Sequence, residues 1–163
     1  MCVISTKTFE LGIVCELYRM SDDAIDELAK LDDESAENYL DENYAYVYGR
    51  YHSQGDTVFS MDKGWDVTRY LLKKVDPSEN KILHKLDDKH IHSQFVKEID
   101  NILEGIEIEN LISQFNIDEL RLNRVYRAES GSSDQYIEGH LNCYKQGFKR
   151  ASEMNHGIVI HFH

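Results

Sequence analysis

A chain of 163 residues with 41% hydrophobic and 29% charged residues has the length of one domain and a globular composition, which speaks against an intrinsically disordered polymer. Thirty acidic residues against 18 basic ones give a formal net charge of −12, the wrong sign for gripping a nucleic-acid backbone or an anionic membrane. One proline and nine glycines leave little turn material for an all-β architecture, so helices are expected to dominate.

No apolar run approaches the length that spans a bilayer, and residues 1–10 lack the basic-then-apolar layout of a secretory leader. These features predict a cytoplasmic protein. Cys2, Cys15 and Cys143 are odd in number and show no C-x-x-C spacing, so they read as reduced thiols and not as a disulfide framework or a zinc site.

In chain order, Ile13 to Arg19 mixes β-branched and aromatic residues and predicts a strand. Ser21 is placed to cap a helix with Asp22 and Asp23 in its first turn and Ile25, Leu28 and Ala29 on one face. A second, very acidic helix is expected from Glu34 to Tyr46, then a loop from Tyr48 to Asp56 and a short extended piece at Val58 and Phe59. Asp62 is read as the cap of a helix running to about Lys74, with Pro77 just beyond its end. Two further helices are predicted over 93–104, capped by Ser93, and over 107–115, with a helical turn at 118–123 and a loop at 128–133. In the last helix Ile137, Leu141, Tyr144, Phe148 and Ala151 recur at spacings of four and three, the mark of a buried stripe. Gly139 and Gly147 interrupt it and predict close packing, Gly157 reads as its C-cap, and Ile158 to His163 as a closing strand. The whole reads as one mainly helical α+β domain over 1–163, with residues 1–10 as an extension and a small sheet built from the N-terminal and C-terminal strands.

Four strings, GIVCELYRMSDDAIDEL at 12–28, FSMDKGWDVTRYLL at 59–72, FNIDELRLNRVY at 115–126 and the terminal GIVIHFH, resemble the YfbM-like family of small bacterial proteins, a domain of unknown function. The most specific of them is the acidic-lysine-x-tryptophan string Asp62, Lys63, Gly64, Trp65. The resemblance implies a compact α+β fold and no particular activity. Departures at Met1–Glu10, at Thr68–Arg69 and after Pro77 mean that it transfers no pocket.

The residues themselves offer two constellations. Residues 21–45 carry ten carboxylates against one base, Lys30, and Tyr39, Tyr44, Tyr46, Tyr48 and Tyr51 make the stretch 21–51 an acidic, tyrosine-rich face. Such a face is either a solvated helical surface or a site that steers a basic protein partner, as an inhibitor or immunity protein does; Asp22, Asp26, Asp33 and Glu37 are its candidate contacts. The second constellation is Asp62, Lys63, Trp65 and Arg69, with Tyr126 and Arg127, which reads either as cap and core or as a cleft for a small ligand or substrate. His90-x-His92 and His161-x-His163 each place two imidazoles on one side of an extended chain, but no helical metal motif accompanies them and neither a metal nor a cofactor is expected. Cys143, three residues from His140, lies beside the buried stripe and is no activated nucleophile. With no nucleophile elbow, Walker loop or dinucleotide fingerprint present, the chain reads as a non-catalytic binding protein, and its oligomeric state is open.

Overall fold

The structure, a computed structural model, describes residues 13–44, 46–47, 50–51, 58–61, 63–129 and 133–162. Strand β1 (Cys15–Met20) is followed by α1 (Asp22–Leu28), α2 (Asp33–Tyr44), β2 (Tyr46–Val47), β3 (Arg50–Tyr51), β4 (Val58–Met61) and α3 (Trp65–Val75). A 3-10 helix (Ile82–Asp87) then leads to β5 (His90–Ile91), α4 (Ser93–Glu104), α5 (Ile108–Gln114), α6 (Ile117–Leu122), α7 (Asp134–Glu153) and β6 (Gly157–Phe162). Four strands form an antiparallel sheet in the order β4-β1-β6-β5, and β2 pairs with β3 apart from it. The expected mainly helical α+β fold, with its first and last strands in one small sheet, is what the chain adopts, and the two strands are neighbours: Leu17 of β1 faces Phe59 on one side and Ile160 on the other.

All six residues of β1 are buried, because helices cover both faces of the sheet. Alternation along the strand sends Cys15 and Leu17 into the larger core with α3, α4, α5 and α7, and sends Tyr18 and Met20 into a smaller core with Ile25, Leu28 and Leu40 of α1 and α2. The predicted stripe of α7 is buried throughout. Gly147 packs as expected, since a Cβ there would lie 3.1 Å from Cδ1 of Leu17, but nothing stands within 4 Å of the Cβ position at Gly139, which faces outward. Burial also explains the cysteines: it pushes the Cys143 thiol up to about 12 and Cys15 higher still, so both free thiols are chemically quiet.

Several boundaries differ from expectation. Helix α2 stops at Tyr44 and not Tyr46, because Tyr46 pairs with Tyr51; β3 thus falls inside the stretch read as a loop, whose other residues lie outside the described ones. The N-cap of α3 is Gly64, and Asp62, expected in that role, lies outside the described residues. Ser93 is the first residue of α4 and His92 its N-cap, so the predicted cap sits one position late. The orphan donor of that helix is met from elsewhere in the chain: Asp22 accepts from the Ser93 amide at 2.8 Å and from its hydroxyl at 2.6 Å. The end of α7 is not made by Gly157 but by Asn155, in the left-handed region at φ 54°, with the Asn155 amide bonded to the Ser152 carbonyl and the His156 amide to that of Ala151. This is a Schellman arrangement. Gly157 instead opens β6, where a Cβ would meet Cδ1 of Ile25 and lie 2.5 Å from the Ile91 carbonyl oxygen. No helix among the described residues is long and apolar enough to cross a membrane.

Candidate functional site

Helices α1 and α2 form the acidic layer on one side of the sheet. Ser21 caps α1 as predicted, accepting from the Ala24 amide at 3.2 Å. The carboxylates of this layer divide into two groups. Asp22 is tied to Ser93, Asp26 lies 2.8 Å from Nε2 of His92, and Asp33 lies 2.8 Å from Nζ of Lys89. Asp32 accepts from the Ser35 amide at 2.8 Å, and Glu27 holds Lys30, the one base of the stretch, at 2.6 Å. Asp23, Glu34, Glu37, Asp41 and Glu42 are exposed, and no ion pair holds them among the described residues. The two candidate tyrosines are half-buried. Tyr39 packs against the smaller core, and Tyr44 stands edge-on to Tyr18 with ring centres 5.6 Å apart. Burial raises the Tyr44 phenol above its ordinary value, so it is a neutral hydroxyl at pH 7.

Where α1 and α2 pass the end of β6, they leave a cleft of about 390 Å³. Its floor is made by Leu28, Leu40 and Val159, and Asp33, Glu37, Lys89, His90 and His161 stand around it. His90 and His161 were each read from the sequence as half of a His-x-His pair. They share this one cleft, whereas His92 is turned to Asp26 and His163 lies outside the described residues. Among the described residues no three His, Cys, Asp or Glu groups are placed to hold a metal ion. Burial first, and Lys89 and His92 after it, lower the pKa of His90 below the ordinary imidazole value, which keeps it neutral at pH 7.

Of the second constellation, Trp65, Arg69 and Tyr126 stand together, their polar atoms spent on one another's neighbours Ile13 and Asp66, while Asp62 lies outside the described residues. Trp65 is 5% exposed, and its indole N–H donates to the Ile13 carbonyl at 3.0 Å. The Ile13 amide in turn donates to the Tyr126 hydroxyl at 2.8 Å, and the Tyr126 amide to Asp66 at 2.7 Å. Arg69 donates to the other oxygen of Asp66 through Nε at 3.0 Å and Nη2 at 2.6 Å, while its guanidinium sits 4.8 Å from the centre of the Trp65 ring. Phe162 closes the stack, its ring centre 4.6 Å from that of Trp65. Lys63 is half-buried at the start of α3, and Arg127, at φ 49°, lies 5.9 Å from the Tyr126 ring. Asp66 organises the group, and its role escaped the sequence reading because an i,i+3 Asp–Arg pair on a helix looks like any surface ion pair. The arrangement fastens the segment ahead of β1 and the turn after α6 onto α3.

A mainly helical α+β domain with a two-helix acidic layer over a four-stranded antiparallel sheet is therefore the class this chain defines. It belongs to the family described as Domain of unknown function (DUF1877), whose model matches residues 11–161. Among solved structures it is similar to YfbM from Escherichia coli, described as a protein of unknown function, with a TM-score of 0.60 at 15% identity over 91% of this chain and 98% of that one. At that identity the likeness shows the fold. No curated protein sequence matches it.

Proposed function

We propose that this is a non-catalytic, cytoplasmic binding protein whose acidic, tyrosine-bearing layer recognises a basic protein partner, in the manner of an inhibitor or immunity protein. One observation carries the reading: partners within the chain engage Asp22, Asp26, Asp33 and Glu27, yet Glu34, Glu37, Asp41 and Glu42 face water along a single helix. Uncompensated charge of one sign on one element costs some stability through repulsion and gains association rate toward a partner of opposite sign. A small-ligand site around Asp62, Lys63, Trp65, Arg69, Tyr126 and Arg127 is the alternative. It would require a ligand to displace Asp66 from Arg69, whose side chain is only 19% exposed.

The test is affinity capture from the source lysate beside a variant carrying Glu34→Lys, Glu37→Lys, Asp41→Lys and Glu42→Lys. Among the described residues no side-chain hydrogen bond or ion pair holds these four positions, whereas lysine at Asp22 would uncap α4. A basic protein retained by the parent, weakened by added salt and lost by the variant is the expected result. Equal capture by both proteins would remove the acidic layer from the function.

A further inference from the structure

The cleft beside β6 has a chemistry of its own. On α2, Asp33, Ala36, Glu37 and Leu40 stand on one helical face and line the cleft together; the small side chain of Ala36 leaves the depression open. The two carboxylates are not equivalent, since Asp33 is held by Lys89 at 2.8 Å and Glu37 has no ion pair among the described residues. Leu31, 43% exposed, stands at the rim, so apolar surface reaches solvent here beside a carboxylate with no ion pair among the described residues. An occupant has to bring apolar surface and a positive charge. Long basic side chains do both, covering an apolar wall with the methylene stem while the charged head stays at the water boundary. A volume of about 390 Å³ lies near the lower end of the roughly 300–1,000 Å³ typical of ligand pockets, enough for a side chain and its neighbours and too small for a docked helix.

We infer that this cleft is the anchoring pocket for one arginine or lysine side chain of an extended partner segment, its stem against Ala36, Leu40 and Val159 and its cation on Glu37. The inference rests on the basic-partner reading and narrows it from a face to a residue.

The probe is a glycine-serine nonapeptide with one central arginine between two leucines, titrated into the isotope-labelled protein and followed by backbone amide shifts. Its control replaces arginine by citrulline, which keeps the shape and removes the charge. Shifts should concentrate at Ala36, Glu37, Val159 and Ile160, and Glu37→Gln and the citrulline peptide should each weaken binding by about fivefold, as expected for loss of an exposed ion pair. Ala36→Trp, which fills the cleft, should abolish it; should that change disturb the helix by circular dichroism, Leu31→Ser at the exposed rim should still weaken binding about threefold. Shifts mapping elsewhere, no shifts at millimolar peptide, or equal binding of the citrulline peptide would each overturn the pocket. Peptide binding lost in a Glu34→Gln, Asp41→Gln, Glu42→Gln variant but intact in Glu37→Gln and Ala36→Trp would also overturn it, while leaving the acidic layer as the recognition surface.

Discussion

Asp76 shows how much one buried carboxylate does here. It is 3% exposed, and one oxygen accepts from the Ser78 amide at 2.9 Å and the Ser78 hydroxyl at 2.6 Å, while the other accepts from the Leu83 amide at 2.8 Å. Burial alone would raise its pKa, but these donors outweigh burial and hold it below the ordinary value. Asp76→Ala leaves three donors unmatched and should cost about 2–3 kcal/mol in urea denaturation. The sign for pH follows from the lowered value. The contribution of Asp76 is complete above about pH 4 and is lost as pH falls through its folded pKa. His156 acts earlier in the same direction. Its Nδ1 accepts from Arg19 at 2.8 Å, which an imidazolium cannot do, and burial together with Arg19 lowers its pKa despite the opposing charge of Asp22. Below about pH 6.5 the unfolded chain takes up a proton that the folded one resists. The midpoint of denaturation should therefore drop between pH 7 and pH 5, and drop less in His156→Gln; an unchanged drop would place the effect in other groups. Asp22→Ala should cost about 1–2 kcal/mol through the lost cap of α4, whereas Glu37→Ala should stay within about 0.5 kcal/mol.

Among the elements, three glycines make a graded test of packing. Ala at Gly139 meets nothing and should stabilise α7 by about 0.5–1 kcal/mol. Ala at Gly147 presses on a Leu17 methyl at 3.1 Å, which can move by a few tenths of an ångström, so helix propensity and crowding should nearly cancel. Ala at Gly157 runs into the Ile91 backbone and should destabilise by about 1–3 kcal/mol; thermal melts of the three variants should rank in that order. The same elements show what could be read in the sequence. Ile137 to Ala151 repeat at helical spacing, so α7 and its buried face were legible, as were β1, the Ser21 cap and the pairing of the terminal strands. Two-residue strands such as β5 carry no period to detect, and the cap of α4 comes from Asp22, 71 positions away, where no local pattern could point. Gly157 was misread because glycine after a helix suits a C-cap equally well as a close approach between strand and helix. The cleft was not legible: Asp33 and Glu37 stood out as acidic residues of α2, but the other wall is β6, and nothing in either segment specifies the meeting.

At the scale of the whole molecule, charge and topology have separate consequences. The net charge of −12 is unevenly placed: Lys73, Lys74 and Lys85 are paired with Asp87, Glu119 and Asp88, whereas Glu34, Glu37, Asp41 and Glu42 have no ion pair among the described residues. Neutralising Glu34, Asp41 and Glu42 should therefore slow association with a basic partner more than it speeds dissociation, a difference that stopped-flow mixing at two salt concentrations would show.

Strand β6 lies between β1 and β5, so β1 waits for a neighbour made some 140 positions later, from Cys15 opposite Phe162 to Met20 opposite Gly157. A nascent chain leaving the ribosome carries β1 with one edge unpaired, and Leu17 without its packing against Gly147 of α7, until nearly all of the domain has been synthesised. The domain cannot mature piece by piece as it emerges. Translation speed and chaperone occupancy along the first 156 codons should govern how much of it reaches the native state.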